Sequence, residues 1–172
     1  MRQDIIPLEK KELRELLNKN WMTHDAMWFY NCVDECGAET ACKLNLAAIR
    51  GMSALEIKRI QKALKFGKIE SFDEFKRFFD GAMALATGDF MKYSYSYGDD
   101  NTMHAEWYTC FSYEGMKAKG IIDRCEECGV FLRIFSWLDT LGLKYEVQPV
   151  VKGCMMHTDG KCYRDVKLFF EK

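Results

Sequence analysis

The fold of this chain is decided by the stretch Phe90-Met-Lys-Tyr-Ser-Tyr-Ser-Tyr97-Gly-Asp-Asp-Asn101-Thr-Met-His-Ala-Glu-Trp-Tyr-Thr-Cys110, where the spacing of large residues changes from helical to alternating. Large side chains alternate with small or polar ones on both sides of Gly98-Asp-Asp-Asn101, whose composition is typical of a turn. This pattern predicts a β-hairpin. Two later segments, 143–151 and 162–170, are rich in Val, Tyr, Phe and Leu and predict a second hairpin.

The chain before the first hairpin has the periodicity of helices. No proline occurs between Pro7 and position 65, and apolar residues recur three and four positions apart. Ser53 with Glu56, and Ser71 with Glu74, have the spacing of a capping box, which marks the start of a helix. The predicted helices cover about 8–18, 19–36, 38–50 with a continuation over 53–66, 71–86 and, between the hairpins, 125–141.

These elements predict an α+β fold in which an N-terminal helical bundle packs on a small antiparallel sheet built from two hairpins. No repeat, low-complexity stretch or linker divides the chain. We therefore expect a single domain over 1–172, with a helical half over 1–88 and a mixed strand and helix half, which contains most of the cysteines, over 89–172.

Composition and charge argue against several classes of partner. With 48% hydrophobic residues, the 172-residue chain can bury a core without disulfides. The formal charge of -1 offers no basic excess for binding nucleic acid. Because we find neither an apolar signal region nor a stretch of about 18 apolar residues, we expect a cytoplasmic protein without a membrane partner. In a reducing cytoplasm, its eight cysteines are expected to be free thiols or metal ligands rather than disulfides.

The cysteines of the last third have spacings that suit a metal site. One pair forms a C-x-x-C, whose two sulfurs can reach one ion from a single turn. A second pair lies in the connection of the second predicted hairpin. The four predicted ligands of a closed, structural zinc site are Cys125, Cys128, Cys154 and Cys162. Cys110 and His157 are substitute ligands. The alternative, a set of reduced cysteines that pack as small hydrophobic residues, stays open.

A second group of candidate residues lies in Trp21-Met-Thr-His24-Asp25-Ala-Met-Trp28-Phe29. Residues three and four apart share one face of a helix, so this segment places an ionisable pair among aromatic side chains. Asn45 is a polar residue in an apolar face of the next helix. A buried ionisable group needs a partner. The polar side chains on these faces therefore either hydrogen-bond to one another within the core or line a pocket. The predicted pocket residues are Trp21, His24, Asp25, Trp28 and Asn45.

Two parts of the chain resemble known families. From Tyr145-Glu-Val through Gly153-Cys154 to Gly160-Lys-Cys162-Tyr-Arg-Asp-Val, the chain resembles the close of the vinyl-4-reductase-like domains and the amino-thiazoline-carboxylate hydrolase-like proteins. The W-x-x-H-D-x-x-W-F segment resembles an uncharacterised bacterial and archaeal family near them. The resemblance covers roughly the last 70 residues and the segment from Trp21 to Asn45. It implies helices packed on a small antiparallel sheet, often in a dimer, with a small-molecule pocket and cysteines able to hold zinc, among which Cys125, Cys154 and Cys162 occupy the matching positions.

Three functions remain in competition. The preferred one is a small-molecule-binding or sensory domain, in which zinc joins the helix near Cys125 to the sheet and the pocket takes a small, mostly apolar or planar molecule. The second is a small-ring hydrolase, in which His24 and Asp25, or a cysteine-held metal, activate water against a C=N or amide-like carbon. Adjacent residues on a helix do not face each other, so this pair would need partners from elsewhere. The third is a structural protein whose cysteines only pack.

Overall fold

The computed structural model describes residues 7–170. Three helices form the first half: α1 over Lys10–Cys36, α2 over Ala38–Ala63 and α3 over Phe72–Ala86. Gly37 alone separates α1 from α2, and its φ of 79° is a conformation that glycine adopts without a steric penalty. The chain therefore reverses at Gly37, and the two long helices pack side by side.

The predicted breaks within the two long helices are wrong. α1 continues through positions 18 and 19, and α2 through positions 50 to 53. Ser53 does not begin a new helix, because it is fully buried within α2 and its hydroxyl donates to the Ile49 carbonyl oxygen at 2.6 Å. Ser71 does begin α3, since its hydroxyl oxygen accepts the Glu74 backbone N–H at 3.3 Å.

The second half mixes strands and helices. Its elements are β1 over Lys92–Tyr97, β2 over Thr102–Thr109, α4 over Phe111–Ala118, a 3-10 turn over Ile122–Arg124, α5 over Gly129–Thr140, β3 over Lys144–Gln148, α6 over Met155–Asp159 and β4 over Cys162–Phe169. The strands form one antiparallel sheet in the order β1-β2-β4-β3. Both predicted hairpins and the α+β class are confirmed. The short helices α4 and α6 were not predicted.

One main core lies between the helices and a single face of the sheet. Alternate residues of β2 and β4 are buried, as a strand with one covered face requires. α3 lies over this face: the Phe79 ring meets the Tyr95 ring edge to face at 5.4 Å. Residues from both halves of the chain share the core, including Ile57, Phe75, Phe131, Leu138 and Val166.

α1 contributes little to this core. Among its described residues only Phe29 is buried, in a smaller cluster that also contains Ala41 and Cys42 of α2. Several large apolar side chains of α1 stay exposed, Trp28 most of all at 67% of its surface. Within the described part of the chain, no helix is both long and apolar enough to cross a membrane.

Candidate functional site

A cavity of about 200 Å³ lies between the two long helices, α5 and the sheet. For comparison, an apolar cavity of about 150 Å³ holds benzene, so this volume suits a ring-sized molecule. Five methionines give the wall an adaptable, apolar surface. The polar or aromatic side chains that bear on its chemistry are Trp21, Asp25, Asn45, Trp107, Arg133 and Trp137.

Trp107 presents an unsatisfied donor in this wall. Its side chain on β2 is only 5% exposed, and its indole Nε1 has no hydrogen-bond partner among the residues described. The ring is held by stacking on Tyr93 at 5.5 Å and by an edge contact with Phe131 at 4.9 Å between centroids. A buried N–H without an acceptor costs about 1–3 kcal/mol. An acceptor on a bound molecule would remove that cost.

A buried ion pair supports the same wall. The guanidinium of Arg133 donates from Nε and Nη2 to the two carboxylate oxygens of Glu56, at 2.8 and 2.5 Å, and both side chains are largely buried. The Trp137 indole N–H donates to Glu56 as well, at 3.0 Å. The guanidinium lies 5.3 Å from the ring centroids of Trp21 and Trp137. These contacts fix two indole rings of the cavity wall through one charged pair.

Asp25 is an acidic group in the cavity wall. Burial of its carboxyl group raises the pKa of Asp25 above its ordinary value, while the nearby His24 and Arg133 act in the opposite direction. The protonated form is therefore more accessible than for an acid in water. A carboxyl group in this state can donate a hydrogen bond to a ligand or transfer a proton.

The structure brings together three of the five predicted pocket residues, Trp21, Asp25 and Asn45, which all line the cavity. His24 and Trp28 are not part of its wall. Glu56, Trp107 and Arg133 were missed as site residues. Glu56 was interpreted as part of a helix cap, and nothing in its neighbouring sequence indicates a partner 77 positions away.

Cys125 does not have the free thiol that was expected. It forms a disulfide with Cys42 of α2, with 5.5 Å between their Cα atoms, and both residues line the cavity. The expectation that the cysteines are unbridged is corrected at this pair. Because its sulfur is bonded to Cys42, Cys125 has no thiolate to offer a metal ion in this structure.

The other three predicted ligands lie near a fourth thiol, that of Cys110. Burial, together with a smaller effect of the neighbouring thiols, raises the pKa of Cys110 to about 11 and that of Cys162 to about 12. Every pair among the four groups interacts electrostatically in this way. We call Cys110, Cys128, Cys154 and Cys162 the thiol cluster.

The fold explains why these four meet. Cys162 begins β4 opposite Trp107 on β2, and Cys110 follows β2 directly. The loop that carries Cys128 is joined to the loop before Cys154 by a hydrogen bond from the Gly153 N–H to the Glu126 carbonyl oxygen, at 2.5 Å. Three of the cysteines immediately precede a helix.

The thiol cluster has the donor chemistry of zinc but is not a formed site. Four cysteine sulfurs are a usual ligand set for structural zinc. As the side chains stand, no group of three or more His, Cys, Asp or Glu residues within 7–170 is arranged to hold a metal ion. His157, a predicted substitute ligand, instead has its Nε2 2.9 Å from an Asp123 carboxylate oxygen.

By fold and site, this is an α+β domain with a cavity between its long helices and its sheet. Residues 7–130 match a family of unknown function, DUF6125. Since the match spans more than half of the chain, the chain belongs to that family. No curated protein and no solved structure matches it significantly.

The family match covers only some of the residues on which the resemblance to known families rests. Its range contains the segment from Trp21 to Phe29 and ends before Cys154 and Cys162. Membership of an uncharacterised family is therefore confirmed. No named relative supports the likeness to the amino-thiazoline-carboxylate hydrolase-like or vinyl-4-reductase-like proteins, which stays a prediction.

Proposed function

We propose that this protein is a small-molecule-binding or sensory domain whose ligand occupies the cavity beside Trp107. The observation that carries the proposal is the buried indole N–H of Trp107, which has no acceptor among the described residues and lies in the cavity wall. A ligand that accepts this hydrogen bond satisfies a group that the protein leaves unpaired.

The cavity also defines the kind of ligand. Its volume of about 200 Å³ and its methionine-rich wall favour a compact, mostly apolar or planar molecule with one hydrogen-bond acceptor. Arg133 is neutralised by Glu56, so it does not call for an anionic ligand. The Trp21 and Trp137 rings, held by the same ion pair, offer flat apolar surfaces to a ring.

The proposal includes a structural zinc ion held by the thiol cluster. Its support is the convergence of four thiols from four separate segments of the chain, which a single ion would join. Zinc binds thiolates, so its binding displaces the protons of the thiols that become ligands. The ion would then connect β2, the start of α5 and the start of β4, and leave the cavity wall to bind the ligand.

The ligand site is tested with a pair of matched probes. Acetophenone and α-methylstyrene have nearly the same planar shape, but only the first has a carbonyl oxygen. We expect the protein to bind acetophenone about fivefold more tightly, as one net hydrogen bond of about 1 kcal/mol implies. Trp107→Phe should abolish that preference while still binding both probes, as measured by titration of protein NMR signals.

The control for this experiment is Trp28→Phe, which changes an exposed tryptophan outside the cavity. It should retain the preference for acetophenone. Failure of the wild-type protein to bind either probe at millimolar concentration contradicts the proposed site. If the preference persists in Trp107→Phe, the carbonyl oxygen of acetophenone accepts its hydrogen bond from a donor other than Trp107.

A small-ring hydrolase is the second candidate, and the observation that favours it is the raised pKa of Asp25 in the cavity wall. If the cavity hydrolyses cyclic amidines of the thiazoline type, Asp25→Asn should lower kcat about 10²- to 10⁴-fold, the usual contribution of a general acid or base. His24→Ala should have little effect, because His24 does not line the cavity. Turnover that survives Asp25→Asn excludes this carboxyl group as the catalyst.

A further inference from the structure

The outer surface of α1 contains a regular row of residues, most of which are exposed in the described part of the chain. Starting at position 10, these residues are spaced alternately four and three apart over the whole helix, which is the spacing of the contact positions in a coiled coil. We call this row the α1 seam: Lys10, Arg14, Leu17, Trp21, His24, Trp28, Asn31 and Glu35.

The α1 seam differs from the face that α1 packs on α2. The inward face consists of Met22, Ala26, Phe29 and Val33, all partly or fully buried. In the seam only Arg14 is partly buried, and the other seven residues are exposed. Leu17 exposes 58% and Trp28 67% of their surface, so two large apolar side chains on this face of α1 are open to solvent.

The charges along α1 indicate what covers the seam. Positions 10–20 contain four basic and two acidic residues, whereas positions 21–36 contain three acidic residues and no Lys or Arg. One end of the helix is therefore basic and the other acidic. A helix with this charge pattern is complementary to a second copy of itself in the antiparallel direction, whereas a parallel copy would bring like charges together.

The seam is also self-complementary residue by residue. An antiparallel pairing about an axis between positions 22 and 23 places Leu17 opposite Trp28 of a second copy and Trp21 opposite His24 of that copy. At the ends of the seam, Lys10 then lies opposite Glu35 of the second copy. The apolar residues meet in the middle and opposite charges meet at both ends, which is the arrangement of an isologous two-fold interface.

The seam extends along the whole of α1. A helix of 27 residues is about 40 Å long, so an antiparallel pairing of two seams can continue over that full length.

From these observations we infer that two copies of this chain associate through an antiparallel pairing of their α1 seams. Trp21 belongs both to the seam and to the cavity wall, so the second copy borders the side of the cavity formed by α1. The inference depends on the surface of α1 and not on the identity of the cavity ligand.

The mass of the protein in solution tests this inference. At 50 µM, sedimentation equilibrium of the full chain should give twice the monomer mass of 20.1 kDa. Trp28→Glu should give the monomer, because it places a charge opposite Leu17 of the second copy. Val150→Glu is the matched control: Val150 is 83% exposed and lies outside α1, so the dimer should persist.

A charge exchange tests the direction of the pairing. Lys10→Glu should weaken the dimer about tenfold, because it sets two acidic residues against each other at both ends of the seam. The double variant Lys10→Glu with Glu35→Lys should restore the affinity, since it exchanges the charges and retains the attraction. A monomeric wild-type protein, a dimeric Trp28→Glu variant, or a double variant no tighter than Lys10→Glu would overturn the inference.

Discussion

Glu56→Ala should lower the free energy of unfolding by about 3–5 kcal/mol, because it leaves the guanidinium of Arg133 largely buried without its carboxylate. The Trp137 indole N–H loses its acceptor in the same variant. The three groups belong to one network, so a single substitution removes three hydrogen bonds. Urea unfolding followed by far-ultraviolet circular dichroism measures the change.

Glu127→Ala is the matched control for this effect. Glu127 also pairs with an arginine, Arg50, at 2.5 Å, but both side chains are half exposed. Solvent screens such a pair, so its loss should cost about 1 kcal/mol or less. The double variant Glu56→Gln with Arg133→Met, which removes both charges, should recover much of the lost stability. Equal losses for Glu56→Ala and Glu127→Ala would contradict the buried role of Glu56.

Removal of the proposed zinc is the second large effect. The purified protein should contain one equivalent of zinc, and Cys162→Ser should contain none and melt roughly 10 °C lower, because a tightly bound ion adds several kcal/mol to the folded state. Elemental analysis measures the zinc, and thermal unfolding measures the stability. Cys36→Ser is the control, because Cys36 is an exposed free cysteine on α1, away from the thiol cluster.

Two further variants identify the fourth ligand. Cys110→Ser should lose the zinc and Cys125→Ser should retain it, because Cys110 lies in the thiol cluster and Cys125 is bonded to Cys42. The opposite result would support the set that contains Cys125. Wild-type protein without stoichiometric metal, whose cluster thiols all react with a thiol reagent once the protein is unfolded, contradicts the zinc proposal.

The elements of the fold could be predicted where the pattern is local. The alternation on both sides of Gly98 predicts β1 and β2, and the capping pair at Ser71 predicts the start of α3. The break predicted inside α2 was wrong because a capping signature also occurs within a continuous helix. Ser53 has this spacing, but its hydroxyl bonds back to the preceding turn.

The candidate site could be predicted only in part. Of the aromatic segment of α1, Trp21 and Asp25 line the cavity, whereas Trp28 is exposed outside it. Helical periodicity places residues on faces but does not say which face meets the rest of the protein. Trp107 lies on a correctly predicted strand, but nothing in that strand indicates that its N–H has no partner.

By itself, the sequence determined the α+β class, both hairpins and the stripes along the long helices, because each depends on residues that are close in the chain. Only the tertiary structure decided that Glu56 binds Arg133, that Cys125 bonds to Cys42, and that Cys110 takes the place beside Cys128, Cys154 and Cys162. These contacts join segments far apart in sequence. They follow from the way the helices and the sheet pack together, which local spacing does not specify.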